Sequence, residues 1–308
     1  MRLLLRRGMV SDDTEHACLV AQSLIASAGN EDLFLADLAR RLRWWLLGVP
    51  AGVGLATLKS CLRLWCGVPP HRSGVFSAGN GPAMRATILG AAIDDVGQLS
   101  SLVRASTRLT HIDPQAEHGA LTVALAARLA PQQPGAKDLL AEVSPHLDAA
   151  TAHPLLDRLT LAAESVRRRE TTREFADRLG LSRGVTGYIN HTVPAAIHAW
   201  LRNPLDLSAG LQEIIACGGD TDSTAALVGG LIGTTVGPAG IPDRWLDQLA
   251  ERPRSVDWMT QLAVVLDRVL ATNTPETPLK LPIVPLLARN ALFAGIVIGH
   301  GFYRLRPW

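Results

Sequence analysis

A chain of 308 residues, 47% hydrophobic and 19% charged, can bury a large core, so disorder is excluded and one large domain or two ordinary ones remain. The net charge of +2 gives no basis for a nucleic-acid or membrane-surface role. Cys18, Cys61, Cys66 and Cys217 have no CxxC or zinc-ligand spacing and read as small core residues of a reduced, cytoplasmic protein. No apolar run is long and unbroken enough for a bilayer, and the basic start lacks the apolar stretch of a signal peptide.

In chain order, Ser11-Asp12-Asp13-Thr14-Glu15 opens a helical pattern over 13–28, with Ala17, Val20, Ala21 and Leu24 on one face. Ser11 with Thr14, or Asp12 with Glu15, has capping-box spacing, and acids suit a helix start. Side chains there also project outward, so capping leaves metal binding open. Gly29-Asn30 ends this helix, and further helices are expected over 32–47 and 51–65. After Pro69-Pro70, the loop Ser77-Ala78-Gly79-Asn80-Gly81-Pro82 leads into a helix over 83–92. Its glycines permit positive φ and close backbone approach, and such a loop can offer amides to a phosphate. Alone, that signal is weak.

Helices over 95–108 and 114–129 flank Thr110-His111-Ile112-Asp113-Pro114, with Asp113 as cap and Pro114 at the first helical position. A lone turn histidine such as His111 is more often structural or exposed than catalytic. Residues 130–145, with Pro131, Pro134 and Gly135, form the most linker-like stretch. Helical patterns resume over 155–169, 172–179, 195–201 and 205–217. Between them, residues 184–188 turn into Thr192-Val193-Pro194. Tyr188 suits either stacking on a base or packing in the core. The clusters Arg40, Arg41, Arg43 and Arg167, Arg168, Arg169 stand near acids and read as solvated helix faces. Three more helices, over 244–251, 256–271 and 287–300, enclose a threonine- and proline-rich loop at 272–278. Nowhere does a strand-like alternation persist, so the fold class expected is all-α, without internal repeats.

The densest chemistry lies in Gly218-Gly219-Asp220-Thr221-Asp222-Ser223-Thr224, before an apolar helix over 225–236. Hard oxygen donors so close together suit Mg²⁺, Mn²⁺ or Ca²⁺. Asp12 and Asp13 stand at another helix opening. Four carboxylates brought together would repel strongly unless cations intervened. With Ser11 and Ser223, the set suits one or two divalent ions and a substrate rich in oxygens, such as a diphosphate or sugar diol.

In order along the chain, Ser11-Asp12-Asp13-Thr14, Gly79-Asn80-Gly81-Pro82-Ala83-Met84-Arg85, Thr110-His111-Ile112-Asp113-Pro114, Gly187-Tyr188, Thr192-Val193-Pro194 and Gly219-Asp220-Thr221-Asp222-Ser223 resemble the ADP-ribosylglycohydrolase family. The resemblance is strongest over 8–250 and implies a single domain over 1–308, with 251–308 as a C-terminal helical extension. It implies an orthogonal multi-helix bundle and two divalent cations, Mg²⁺ or Mn²⁺, held by Ser11, Asp12, Asp13, Asp220, Asp222 and Ser223. Ser77, Gly79, Asn80, Gly81, His111 and Tyr188 would bind substrate, the loop taking the diphosphate and His111 the ribose. Asp12 or Asp13 would assist proton transfer as ADP-ribose is hydrolysed from a protein or small-molecule acceptor at its anomeric carbon.

Serine replaces the usual threonine at Ser11 and Ser223 but keeps the oxygen. Ala78 stands where some relatives carry an aromatic. The family pattern also has an earlier helix with a Gly-Asp-Ala-Leu-Gly-like motif and a glutamate, which this sequence does not show before Asp12. The alternative expectation is therefore a non-catalytic ADP-ribose-binding or structural relative. Another all-α class, the terpenoid-synthase-type diphosphate lyases, shares aspartate-rich helices. It gives no role to Gly79-Asn80-Gly81, and residues 12–16 lack its second acidic position.

Overall fold

A computed structural model describes residues 8–50 and 52–304, and among these the chain is all-α, its only extended pairings being isolated bridges. In order the helices are α1 (Asp12–Ser27), α2 (Glu31–Leu47), α3 (Leu55–Trp65), α4 (Ala86–Ala92), α5 (Val96–Arg108), α6 (Pro114–Leu129), α7 (Ala136–Val143) and α8 (His153–Arg167). They continue as α9 (Thr172–Arg178), α10 (Ile189–Arg202), α11 (Leu207–Ala216), α12 (Thr221–Val236), α13 (Asp243–Asp247), α14 (Val256–Thr272) and α15 (Ile283–Arg304).

The core centres on α6, which is buried on nearly every face between Ala116 and Leu129. Its many alanines keep the helix thin, so α4, α5, α10 and α12 all pack against it. At the α4 crossing a Cβ on Gly90 would stand 2.0 Å from the Ala124 carbonyl oxygen, so only glycine permits that approach. Each leucine fully buried here contributes roughly 1.5–3 kcal/mol.

Helix α1 is also enclosed, with α2 on one side and α14 on another. Its buried set extends beyond the expected stripe to Gln22, Ser23 and Ser27. These polar groups are satisfied: Ser23 Oγ donates to Leu19 O at 2.9 Å, and Gln22 Nε2 donates to Leu279 O at 2.6 Å.

Several expected boundaries shift. Helix α3 starts at Leu55, because Gly52 adopts a φ of +89° and the chain stays in a loop through Gly54. Residues 130–145 are no linker, since α7 buries Leu139 and Val143. Helix α10 begins at Ile189 and runs through Pro194. Proline there removes one i→i−4 bond, but Val193, Ala195, Ala196 and Ile197 are buried, and that packing outweighs the loss. Helix α13 is shorter than expected, and α15 starts earlier.

Three cysteines are core residues as expected, whereas Cys66, at the C-cap of α3, is exposed. Arg40 and Arg41 pair with Asp37, and Arg167, Arg168 and Arg169 are exposed, so both clusters are helix faces. No described helix is long and apolar enough to cross a membrane.

Candidate metal centre

Four loops carrying the sequence motifs are joined by backbone hydrogen bonds. Val75 N–H donates to Thr110 O at 3.1 Å, and Ile112 N–H returns to Val75 O at 3.0 Å. Asn80 N–H donates to Gly187 O and Ile189 N–H to Ala78 O, both at 2.9 Å. Val185 N–H then donates to Gly218 O at 3.0 Å, and Asp220 N–H to Val185 O at 2.7 Å. This ladder sets His111, the loop 77–81, Tyr188 and the opening of α12 side by side.

The α12 opening depends on its glycines. Gly218 and Gly219 take φ of +71° and +82°, and a Cβ on Gly219 would also meet the Val185 carbonyl oxygen at 2.1 Å. The turn carries Asp222 to the start of α1, where carboxylate oxygens of Asp12, Asp13 and Asp222 lie within 4.8 Å of one another. That spacing lets one divalent cation bridge the set, given metal–oxygen distances of about 2.0–2.6 Å.

Electrostatics describe the same crowding. Burial, then the charge of Asp13, pushes the Asp12 carboxyl up to about 8, with Asp222 and Glu15 adding to the effect. Asp13 is also raised, first by burial and then by Asp222, while the Ser11 and Ser223 hydroxyls oppose the shift. Asp220 rises to about 6 through burial and its contact with Asp222, against a hydrogen bond from Asn80.

Ser11 occupies the N-cap position without capping through its side chain. Its Oγ instead donates to Asp13 Oδ2 at 2.6 Å, so the expected capping box is absent. Asp13 Oδ1 is buried without a partner among the described residues. An acceptor left bare in this way costs free energy unless something positive meets it, so the donor set fits a divalent cation. Glu15 turns away from the cluster to accept from Trp45 Nε1 at 2.6 Å and from Arg254 and Arg289 at 2.8 Å each.

Asp220 lies outside the closest group of three. Its Oδ2 accepts from Asn80 Nδ2 at 2.8 Å, and that amide also reaches Thr192 Oγ1 at 3.1 Å. Asn80 therefore links the loop 77–81 to the acidic cluster. His111 is buried, with burial and then Arg85 holding its ring neutral by lowering its pKa to about 3. Neither Gly79 nor Gly81 uses the positive φ expected of it. Both instead pack tightly on the imidazole: a Cβ would lie 3.2 Å from Nε2 at Gly79 and 3.0 Å from Cε1 at Gly81.

The loop's amides are partly engaged, Gly79 N–H donating to Ser77 Oγ at 3.3 Å and Asn80 N–H to Gly187 O. Tyr188 is neither deep in the core nor free. Its hydroxyl accepts from Asn190 Nδ2 at 3.1 Å, and its ring meets His191 edge-on.

The sequence profile described as ADP-ribosylglycohydrolase matches residues 2–276. The chain belongs to the ADP-ribosylglycohydrolase family. It is 29% identical to the ADP-ribosyl-[dinitrogen reductase] glycohydrolase of Rhodospirillum rubrum, over 85% of this chain and 82% of that protein. It is 29% identical to ADP-ribosylhydrolase ARH3 of Homo sapiens, over 82% of this chain and 77% of that protein. A solved structure titled ADP-ribosylglycohydrolase-related protein complex superposes with a TM-score of 0.64 at 29% identity, covering 84% of this chain and 81% of that one. The chain is thus a hydrolase of the glycohydrolase type.

Sequence reasoning missed four residues at or beside the site. Gly52 lies against Asp12, a Cβ there standing 3.4 Å from Oδ1. Pro50, Gly52 and Gly54 in close succession were a readable loop signal. Phe76, 76% exposed, projects from the loop between Val75 and Ser77, a signal available in any lone aromatic beside a glycine-rich turn. Arg254 and Arg289 left no local signal, because each acts far from its place in the chain.

Proposed function

We propose that this protein is a divalent-metal-dependent hydrolase that removes ADP-ribose from a modified protein or small-molecule acceptor by cleaving the bond at the anomeric carbon of the ribose. The observation that carries the reading is the meeting of Asp12, Asp13 and Asp222 around a buried, unpartnered Asp13 oxygen, beside the loop packed on His111.

Ser11, Asp12, Asp13, Asp220, Asp222 and Ser223 would hold two cations, Mg²⁺ or Mn²⁺. When bound, the ions supply positive charge that orients ribose hydroxyls and a water. Asp12 or Asp13 would take a proton from an attacking water as its oxygen bonds the anomeric carbon. The bond to the acceptor would break with its electron pair leaving on the acceptor, which would receive a proton. The remaining carboxylates would stabilise the positive charge that develops on the sugar. Asn80 restrains Asp220 through its amide. His111, being neutral, contributes as a hydrogen-bonding group at the ribose rather than as a cation. Thr110 Oγ1 receives Arg85 Nη2 at 2.7 Å and lies 2.9 Å from His111 Nδ1. Thr110 can then donate to Nδ1, leaving Nε2–H toward Gly79.

The backbone of the loop 77–81 receives the diphosphate, and Tyr188 and Phe76 border the space for adenosine. Residues 251–308 belong to the same domain, a reading supported by the packing of α14 on α1.

The test is release of free ADP-ribose from a panel of ADP-ribosylated acceptors, with and without added Mg²⁺ or Mn²⁺, for wild type and Asp222→Ala. Metal-dependent release by wild type, reduced on the order of 10²- to 10³-fold in the variant, is expected. No release from any acceptor by folded, metal-supplied protein would sink the hydrolase reading. Equal activity in Asp222→Ala would remove that residue from the metal set.

A further inference from the structure

Beneath the start of α1 lies a buried group of four charges that the site described above does not use. Glu15, Glu251, Arg254 and Arg289 are 1%, 3%, 2% and 7% exposed, so two acids and two bases balance in a space closed to water. Arg289, on α15, sits at its centre. Its Nη1 donates to Glu15 Oε1 at 2.8 Å, and its Nη2 donates to Val10 O at 2.6 Å and Glu251 Oε2 at 3.0 Å. Its Nε lies 2.9 Å from Glu251 Oε1, and its guanidinium covers the Phe293 ring. Glu251 in turn accepts from Val10 N–H at 3.2 Å.

Both backbone groups of Val10 are therefore held by this cluster. Two residues earlier, Gly8 N–H donates to Gln248 O and Ala250 N–H donates to Gly8 O, each at 2.8 Å. The chain is gripped at Gly8 and Val10 on one side and at Glu15 on the other. Between the grips stand Ser11, Asp12 and Asp13. Arg289 touches both sides at once, and it lies beyond residue 276, where the match to the family ends.

We propose that Arg289 is a positioning residue for the metal site: its planar fork locks Val10 and Glu15 and thereby places Ser11, Asp12 and Asp13 for coordination. The inference rests on the reading that these residues hold metal. A planar guanidinium can serve three acceptors in fixed directions, which a single ammonium on a flexible stem cannot. Groups that orient metal ligands commonly govern affinity without touching the ion.

The experiment is a Mn²⁺ titration of the full chain followed by electron paramagnetic resonance, at a temperature where circular dichroism shows every variant folded. Arg289→Met is expected to weaken Mn²⁺ binding on the order of 10- to 100-fold and to alter the bound-Mn²⁺ spectrum. Arg289→Lys should fall between Met and wild type, because it restores the charge but not the fork. Leu99→Ala, a fully buried position on α5, serves as the reference for lost stability alone and should bind Mn²⁺ as wild type does.

Unchanged affinity in Arg289→Met overturns the proposal, as does an equal loss in Leu99→Ala. Should Arg289→Met not fold, wild-type affinity in Arg289→Lys overturns it instead. A wild type that binds no Mn²⁺ overturns the metal reading and this proposal together. Wild-type binding that Arg289→Met leaves intact overturns this proposal alone.

Discussion

At the opening of α12 the backbone positions the carboxylates, whereas at the opening of α1 side chains from the far end of the chain share that work. Gly218 and Gly219 bend the chain into Asp220 through left-handed φ values and a pairing with Val185. Ser11, Asp12 and Asp13 instead sit between Val10 and Glu15, both tied to Arg289 on α15. One half of the cluster is thus fixed by local covalent geometry and a neighbouring loop. The other half depends on charges brought together over more than 270 residues of sequence separation. The first arrangement should therefore be broken by a single methyl group and the second by loss of a single charge.

Removing the charge tests the α1 side most severely. Arg289→Met leaves Glu251 and the Val10 carbonyl without their buried partner, and chemical denaturation should show a loss of about 3–5 kcal/mol. A loss under about 1 kcal/mol would mean that water or Arg254 replaces the fork. On the α12 side, Gly219→Ala should cost about 3 kcal/mol, because its Cβ would collide with the Val185 carbonyl in a left-handed backbone. Urea unfolding of metal-free protein measures this without reference to activity.

Bound cation should strengthen both openings together. Mn²⁺ at about a hundred times its dissociation constant should stabilise wild type by about 2.7 kcal/mol, and Asp222→Ala should lose most of that gain in a thermal melt. A gain that survives in Asp222→Ala would place the ion elsewhere.

A position away from both openings sets the baseline for pH. His198 is buried between Thr172 Oγ1 and Ser165 Oγ, and burial, then Arg202, lowers its pKa to about 4. Its folded pKa lies below the unfolded value of about 6.5, so its contribution is complete above that value and is lost as pH falls toward 4. Relative to His198→Gln, wild type should lose roughly 2 kcal/mol between pH 7 and pH 5. A flat difference would show that His198 titrates normally.

The smallest effect belongs to Gly218→Ala. Gly218 shares the left-handed φ of Gly219, but no atom lies within 4 Å of its would-be Cβ, so about 1 kcal/mol is expected. If Gly218→Ala cost as much as Gly219→Ala, strain rather than the Val185 contact would hold the α12 opening.

Features governed by neighbours in sequence were legible. Asp113 caps α6 as its spacing indicated, its side chain accepting from Gln115 N, and α5 begins where expected, with Asp95 accepting from Gln98 N as its cap. The ordered motifs carry the family resemblance, and two acidic helix openings in one chain point to a shared cation. Each rests on short-range chemistry: a cap reaches two or three residues, and crowded carboxylates repel wherever they meet.

Only the tertiary structure decided what those residues face. Glu15 has the spacing of a capping partner, yet two arginines and Trp45 claim it. Gly79 and Gly81 are suited to positive φ, yet neither takes it, and a histidine thirty residues on packs closely against both. Pro194 looks like a helix boundary, yet burial carries α10 through it. In each case a contact distant in sequence outweighed a local preference of about 1–3 kcal/mol, because burial and charge pairing act through space while propensity acts along the chain.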